Sequence, residues 1–391
     1  MTNELNLFCF ILNLSISVFI GALLLIMPIL TRKSYLFGVK IPLNEYNCIE
    51  AKRIQKNYST ICIIGSAMIL LLVILQYVIA PNMSLIAAMY FPFLFLILQM
   101  MAFIPNWKQA TRLKQLKNWK VSDSIFAETK SSHSRGTLSE LPWIWYIIGF
   151  ILIIISVVIL LVRYPSLPEQ IPTHFDMHMK PDAWSDKTLW TIFNLPLINL
   201  GTLLLLWLSS FMLVRAKLQI DPQNPALSFA QHRIYRKRLG HSLGLLALSL
   251  VVLFILLEFM SIFPAFNIPF WLMMFFALAP SILLIFVLVK SGQGGCRIKL
   301  KEMPDNPTEQ DNGAFNLVNV SENYNRGDDK YWAIGMFYYN KDDPAYIVED
   351  RFGTNLGFNY ARLVVQIGVA ILTLLGIACY VWATGFILSS L

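Results

Sequence analysis

Charged residues are scarce in this sequence. Asp, Glu, Lys and Arg make up 14% of its 391 residues, whereas hydrophobic residues make up 56%. Soluble globular domains carry about 25% charged residues, so the composition excludes an ordinary soluble protein. The five cysteines are scattered without a CxxC pair, which argues against both a disulfide framework and a cysteine metal site.

Familiar catalytic and nucleotide-binding motifs are also missing. The chain has no Gly-x-Ser-x-Gly and no His-Glu-x-x-His, and Gly292, Gly294 and Gly295 are not followed by the Lys-Ser/Thr of a phosphate-binding loop. We therefore predict a protein that is not an enzyme and holds neither a cofactor nor a metal. The net charge of +8 is expected to reflect charge at a membrane surface rather than a nucleic-acid partner.

Long apolar runs are what the sequence does contain. Each carries almost no charge and is long enough to cross a bilayer as a helix, for which about 20 apolar residues suffice. The predicted fold class is an all-α polytopic membrane protein with about eight transmembrane helices, embedded in the lipid bilayer. The runs lie at residues 5–30, 58–80, 84–105, 142–162, 188–214, 242–263, 268–289 and 363–388.

Positive charge alternates between the connections. Of the 31 Lys and Arg residues, 28 lie in four alternate connections, and the other three, Arg163, Lys180 and Lys187, share one loop with four carboxylates. Basic loops stay on the cytoplasmic side during insertion. The bias predicts a multi-pass protein of the cell membrane with both the N- and C-termini extracellular. The basic connections are residues 32–57, 106–141, 215–240 and 290–362.

The same runs divide the chain into five regions. A three-helix membrane region, a basic cytoplasmic linker and a four-helix membrane domain with an outer loop at 164–187 precede a cytoplasmic segment and a final helix. In the linker, residues 108–120 mix cations with large apolar side chains, which predicts an amphipathic helix on the inner leaflet or an ordinary juxtamembrane linker. The regions are residues 1–105, 106–141, 142–289, 290–362 and 363–391.

An aromatic stretch predicts a small cytoplasmic β-hairpin module before the last helix. Residues 331–340 are aromatic and strand-like, residues 341–344 are turn formers, and residues 345–349 predict the second strand. Two strands alone are marginal in water, so the hairpin at 331–350 must pack on something. Its aromatic side chains form either its own small core or a surface for a cytoplasmic protein partner.

The outer loop contains three prolines within eight residues. They favour a stiff, extended backbone, which would hold His174 and Phe175 at a fixed distance from the end of the fourth apolar run. The loop is expected to turn at residues 180–182. In an extended strand, one face would contain the side chains of His174, Asp176 and His178, and one interpretation is that these three bind a metal ion. The alternatives are a single histidine that contacts a ligand and a histidine satisfied by loop backbone.

Glu258 lies within the sixth apolar run, about five residues before its predicted outer end. A carboxylate within a membrane span is a functional candidate because burying its charge is costly. Two interpretations remain open. The side chain either extends to the membrane surface, or it faces His174 or Lys187 from beneath the outer loop and forms a polar cavity there.

The outer loop resembles a known domain. Pro-x-x-Ile-Pro-x-His-Phe at residues 168–175, followed by Pro-Asp-x-Trp-x-x-Lys at residues 181–187 and a membrane helix, is similar to the uncharacterised membrane domain found in SdpI-type immunity proteins. Residues 36–42 and 329–344 resemble further stretches of a subset of that family in Gram-positive bacteria.

The resemblance implies a role in immunity to an extracellular peptide toxin or in passing an envelope signal inward, without catalysis. A secondary transporter or exporter of a small or amphiphilic substrate is the alternative from another class, and a membrane metalloenzyme is a third. The candidate residues for an extracellular peptide or lipid are Pro172, His174, Phe175, Asp182, Trp184 and Lys187. Those of the cytoplasmic module are Trp332, Gly335, Tyr338, Asn340, Asp343 and Pro344.

Overall fold

A computed structural model describes residues 3–119, 141–176, 179–216, 225–263, 266, 268–299, 326–353 and 356–390. Within these residues, eight helices are long and apolar enough to cross a membrane, which confirms the predicted all-α polytopic class. In chain order, α1 to α8 are Asn3–Leu30, Ile49–Ile79, Ser84–Leu116, Trp143–Arg163, Leu189–Arg215, Pro225–Ile262, Phe270–Ser291 and Leu363–Ser390.

Three helices are longer than their apolar runs. Helix α2 begins at Ile49, nine residues before the predicted run at 58–80, and α6 begins at Pro225 rather than near 242. Helix α3 continues to Leu116, so most of the basic stretch at 108–120 extends a membrane helix instead of forming a separate surface helix. Helical hydrogen bonding does not require apolar side chains, whereas crossing the hydrocarbon does.

The chain forms two compact units. One contains α1–α3, the segment that precedes α8, and α8 itself; the other contains α4–α7. The core of the first unit joins the ends of α1, α2 and α3 to the loop after α1. Four rings meet there at centroid distances between 4.6 and 6.2 Å, namely Phe37, Tyr58, Phe103 and Phe352.

The loop after α1 contains a short hairpin, β1 (Tyr35–Leu36) and β2 (Val39–Lys40). Residues 326–353 and 356–362, which we call the aromatic module, contain two more. Strand β5 (Trp332–Ala333) pairs with β6 (Phe337–Tyr338), and β7 (Ile347–Val348) pairs with β8 (Gly357–Phe358).

The predicted pairing of residues 331–340 with 345–349 is therefore wrong, although the small β module before the last helix is present. The chain reverses within the first predicted strand, because Ile334 and Gly335 adopt positive φ angles of 54° and 72° between β5 and β6. A parallel bridge from Tyr338 to Asn359 joins the two hairpins. The aromatic stretch thus forms a hairpin by itself, and the residues after it pair further along the chain.

The second unit packs α4, α5 and α7 around α6. Its central apolar cluster consists of Tyr146, Ile153, Leu203, Ala247 and Val251. Between α4 and α5 the chain forms a hairpin of β3 (Gln170–Phe175) and β4 (Pro181–Asp186), which lies over the ends of α4, α5 and α6. The predicted turn at 180–182 is displaced, because β4 already begins at Pro181 and the strands are closed by hydrogen bonds between Asp176 and Lys180.

Candidate functional site

The β3–β4 hairpin rests on the helices through one strand. Ile171 in β3 is buried against Leu160, Ile192 and Ile262 from three helices, whereas every residue of β4 is exposed. Prolines at the start of β4 and within β3 suit the edge strands of a two-stranded hairpin. Strand β4 is therefore the exposed strand of the hairpin, and β3 is the strand that packs on the membrane helices.

Four of the predicted outer-loop residues meet across the strands. Pro172 is the register partner of Trp184, whose side chain is half exposed. The Nδ1 atom of His174 lies 2.5 Å from an oxygen of the Asp182 carboxylate, and both side chains are exposed. This short contact orients the imidazole and leaves its second nitrogen for another partner.

The other two predicted residues fix the hairpin to the unit. Lys187 is mostly buried, donates a hydrogen bond of 3.0 Å to the Leu167 carbonyl, and lies 5.2 Å from the centroid of the Tyr164 ring. Phe175 packs against an apolar cluster that includes Met260. We infer that Lys187 and Phe175 position the loop, because their polar and apolar groups already have partners within it or below it.

A cavity of about 250 Å³ lies beneath β3. Apolar side chains form most of its wall, and polar groups from α5, α6 and β3 interrupt that wall. The lining residues are Leu160, Leu167, Ile171, Pro172, Thr173, Thr191, Ile192, Asn194, Leu195, Glu258, Ser261 and Ile262. An apolar enclosure with a few convergent polar groups is the typical form of a small-molecule site.

Glu258 provides the one acidic group among those lining residues. It is 2% exposed, so it does not extend to the surface as the first sequence interpretation had it. Its Oε2 atom lies 3.5 Å from the Ser156 Oγ atom, which is also 3.0 Å from the Ile153 carbonyl oxygen. The hydroxyl has one hydrogen to donate, so these two acceptors compete for it. Within the described residues, its Oε1 atom has no hydrogen-bond partner.

The structure brings Glu258 together with only one of the predicted loop residues, Pro172, at the same cavity. His174 and Lys187, which the sequence suggested as its facing groups, have the other contacts described above. His178, the third member of the possible metal set, lies outside the described residues. No group of three His, Cys, Asp or Glu side chains within those residues is arranged to hold a metal ion.

Sequence reasoning missed the neutral polar residues of this site. Ser156 faces Glu258 from α4, and Thr191, Asn194 and Ser261 line the cavity from α5 and α6. Serine, threonine and asparagine are common in membrane helices, so their type alone gives no signal. Their convergence depends on how three helices pack.

Three of the predicted residues of the aromatic module, Tyr338, Asn340 and Asp343, form one buried hydrogen-bonded network with Arg326. Asp343 is fully buried and forms a bidentate ion pair with Arg326. Arg326 Nε donates to Asp343 Oδ2, and Arg326 Nη2 donates to Oδ1 over 2.6 Å. The Tyr338 hydroxyl donates to the same carboxylate, and Asn340 donates to that hydroxyl. Burial opposes ionisation of Asp343, but the Arg326 guanidinium outweighs it and holds its pKa below the usual value.

Of the remaining predicted module residues, Trp332 donates from its indole nitrogen to the Arg326 carbonyl over 2.8 Å and is buried. Gly335 lies against Gly38 of the β1–β2 turn, and Pro344 is exposed. Arg351, which lies downstream of residues 329–344 and shares their resemblance to the same family, is not among the predicted site residues. It is fully buried between the rings of Tyr35 and Trp332.

Arg351 ties the module to the loop after α1. It donates to the Gly38 carbonyl over 3.0 Å and to Asp329 over 2.5 Å, and Asp329 also accepts from Lys114 at the end of α3. A second ion pair joins Arg32 to Glu349 over 3.0 Å. These contacts fasten the module to the ends of α1 and α3.

The module also has a pH-dependent element. Burial raises the pKa of Asp350 to about 7. In an unfolded chain, the pKa of an aspartate is about 3.9. The native chain keeps this proton up to about pH 7 while the unfolded chain releases it from about pH 4, so the stabilisation present below pH 4 is lost as pH rises towards 7. Asp350→Asn, which cannot ionise, should therefore stabilise the module at pH 8 more than at pH 5.

Thermal unfolding of the purified protein at both pH values measures this difference. Asp342→Asn is the matched control, because Asp342 is an exposed aspartate of the same module. An equal change for Asp350→Asn at pH 5 and pH 8 would show that this carboxyl does not couple folding to pH.

Comparison with known proteins adds one similarity. Residues 151–200, which contain most of α4, the β3–β4 hairpin and the start of α5, match the family described as Domain of unknown function (DUF1648). No curated protein and no solved structure matches the chain. The matched residues include Pro172, His174, Asp182 and Trp184, and most of the cavity-lining residues.

Proposed function

We propose that this multi-pass membrane protein binds an extracellular peptide or lipid in the cavity beneath the β3–β4 hairpin. Binding there serves resistance to a peptide toxin or the sensing of a change at the cell envelope, and involves no catalytic step. The observation that carries the proposal is that β3 covers Glu258, one of whose carboxylate oxygens has no hydrogen-bond partner in the described part of the chain.

The charge distribution supports the extracellular position. The hairpin lies in the connection that contains only three of the 31 Lys and Arg residues, and the four basic connections that alternate with the outer ones contain the other 28. Within the first unit, the aromatic module contacts the loop after α1 and the end of α3, as expected for connections on one side of a membrane. These observations favour an outward hairpin and an inward module.

The hairpin supplies two kinds of ligand contact in this proposal. The exposed His174–Asp182 pair and the half-exposed Trp184 offer polar and aromatic groups on the outer surface. Thr173 and Pro172 border the cavity underneath. Similarity of the same stretch to SdpI-type immunity proteins suggests a toxin or an envelope lipid as the occupant.

A susceptibility screen tests the function. We expect a deletion strain to become at least about fourfold more sensitive to one of a panel of secreted peptides or lipid-active antibiotics. The wild-type gene should restore resistance, whereas Thr173→Trp, which places an indole at the cavity, and His174→Ala, which breaks the pair with Asp182, should not. Lys180→Trp is the matched control and should restore resistance, because Lys180 is exposed between the two strands and does not line the cavity.

Two results would count against the proposal. If deletion changes no susceptibility in the panel, the protective role is wrong. If Thr173→Trp and Lys180→Trp restore resistance equally at equal protein levels in the membrane, the cavity is not where the ligand acts.

Transport is the second candidate function, favoured by the position of Glu258 within a membrane helix. A transporter should give substrate-dependent flux in proteoliposomes, and Glu258→Gln should abolish that flux without lowering the amount of folded protein. Flux that is absent in the wild type, or unchanged in the variant, would remove this candidate.

On the inward side, we propose that the aromatic module contacts a cytoplasmic protein. Its buried side chains are committed to its own network, while Phe337, Tyr339 and Tyr346 remain exposed. Exposed aromatic side chains are enriched where proteins associate. A crosslinker placed at residue 339 should capture such a partner, and substitution of Tyr346 by Ser should weaken that capture.

A further inference from the structure

In the cavity beneath β3, the carboxyl group of Glu258 lies among mostly apolar side chains. Six of its lining residues are leucine or isoleucine, and Glu258 is 2% exposed. An ionised carboxylate in such surroundings is costly unless a cation or several donors compensate it. Ser156 is its single described donor, at 3.5 Å, which exceeds the usual length of an O–H···O hydrogen bond.

The cations of the chain nearest in sequence to this cavity are engaged elsewhere. Lys187 is bonded to the Leu167 carbonyl, lies over the Tyr164 ring and is 3.9 Å from Glu169. The Arg163 guanidinium lies 5.1 Å from the centroid of the Phe263 ring. Within the described residues, no ion pair includes Glu258. Among the described residues, then, no cation compensates a charge on Glu258, and a bound ligand could supply one.

We propose that the cavity receives the primary ammonium group of its ligand, with Glu258 as the counter-ion. This inference rests on the proposed function, which places a ligand in the cavity, and specifies the chemistry of that ligand. A primary ammonium has three donors. The unpartnered Oε1 atom accepts one of them, and oxygen atoms of the lining residues Thr191, Asn194 and Ser261 are the nearby acceptors for the others.

The size of the cavity fits an end group rather than a whole ligand. A dry cavity of about 150 Å³ accommodates benzene, so about 250 Å³ holds an ammonium group and the first several carbon atoms of its chain. The leucine and isoleucine side chains of the wall suit those methylene groups. Both a lysine side chain of a peptide and the head of an aminolipid have this form, an ammonium on a short aliphatic stem.

A set of alkyl probes tests the chemistry directly. Full-length protein in phosphatidylglycerol nanodiscs is titrated with n-octylammonium, n-octanol and octyltrimethylammonium, and binding is measured by calorimetry after subtraction of empty nanodiscs. We expect saturable binding of octylammonium that is at least about tenfold tighter than that of the other two, because a hydrogen bond to a charged group contributes about 1.5–3 kcal/mol. Octanol lacks the charge, and octyltrimethylammonium lacks the donors.

Glu258→Gln is the diagnostic variant, and Glu169→Gln is its matched control. Glu169 directly precedes β3, is 92% exposed and does not line the cavity, so its substitution removes an equal charge outside the cavity. Glu258→Gln should weaken octylammonium binding at least about tenfold and leave octanol binding unchanged. Octylammonium binding that survives in Glu258→Gln, or that is lost equally in Glu169→Gln, overturns the proposal, as does equal binding of octanol and octylammonium by the wild type.

Competition then distinguishes the two sources of ammonium. A short peptide with one lysine is compared with its norleucine counterpart, and nanodiscs containing phosphatidylethanolamine are compared with phosphatidylglycerol alone. Displacement of octylammonium by the lysine peptide alone assigns a peptide, and displacement by phosphatidylethanolamine alone assigns a lipid. Resistance that depends on the cavity, as shown by Thr173→Trp, without any preference for ammonium probes would overturn this inference while leaving the proposed function standing.

Discussion

Asp343→Ala is expected to lower the free energy of unfolding of the aromatic module by about 3–5 kcal/mol. Breaking a buried ion pair by removing one partner leaves the other charge uncompensated, which is the costly case. Arg326 is 4% exposed and would keep its charge while losing the Asp343 carboxylate. The Tyr338 hydroxyl and the Ala345 amide would lose their acceptor as well.

Asp342→Ala is the matched control for this effect. The neighbouring aspartate is exposed, so its removal should change stability by no more than about 0.5 kcal/mol. Pulse proteolysis of the purified protein in detergent measures both variants. Equal resistance of Asp343→Ala and Asp342→Ala to protease would show that the buried pair does not hold the module together.

Gly38→Ala should have a similarly large effect on how the module attaches to the loop after α1. Gly38 has a φ of 77°, and a Cβ atom there would lie 2.1 Å from the Gly335 carbonyl oxygen. A left-handed conformation costs an L-residue about 1–2 kcal/mol, and relief of a clash with backbone adds about 1–3 kcal/mol. We expect the contacts of Arg351 with Gly38 and of Gly335 with Trp107 to loosen.

Gly376→Ala provides the comparison, because no atom lies within 4 Å of the Cβ that it would add in α8. This substitution should leave the melting temperature unchanged or raise it slightly, since alanine favours helix over glycine. Gly38→Ala should lower the melting temperature and expose the module to proteolysis. Indistinguishable melting curves for the two variants would contradict the close approach of the two glycines.

The helix count was predictable because hydrophobic length is the dominant signal in a membrane protein. All eight apolar runs are helices, and the boundaries that failed are those where a helix continues with charged residues. Helix α2 includes Lys52, Arg53 and Lys56 before its apolar part begins. Hydropathy reports where the hydrocarbon ends, and this need not be where the backbone hydrogen bonds end.

Strand pairing in the module was not predictable from pattern alone. The aromatic run at 331–340 has the composition of one strand, but Gly335 permits a reversal in its middle, and only the folded structure shows that the reversal occurs. Its neighbour in space, Gly38, is almost 300 residues away in the chain. Both glycines were visible in the sequence, and their contact was not.

The candidate site was partly predictable. Glu258 was identified by type, because a carboxylate in an apolar run is unusual, and the loop residues by their resemblance to a known domain. Their actual arrangement, with Pro172 rather than His174 or Lys187 at the cavity, depends on which face of β3 rests on the helices. A change of one residue in strand register would reverse those faces.

Sidedness is the claim on which the proposed roles depend, and cysteine labelling in intact cells tests it most directly. In a background lacking the five native cysteines, single cysteines replace His174 and Tyr339, both well exposed in the structure. A membrane-impermeant maleimide should label position 174 in intact cells and position 339 only after the membrane is permeabilised. Labelling of position 339 but not of position 174 in intact cells would show the opposite orientation in the membrane and would contradict an extracellular ligand at the hairpin.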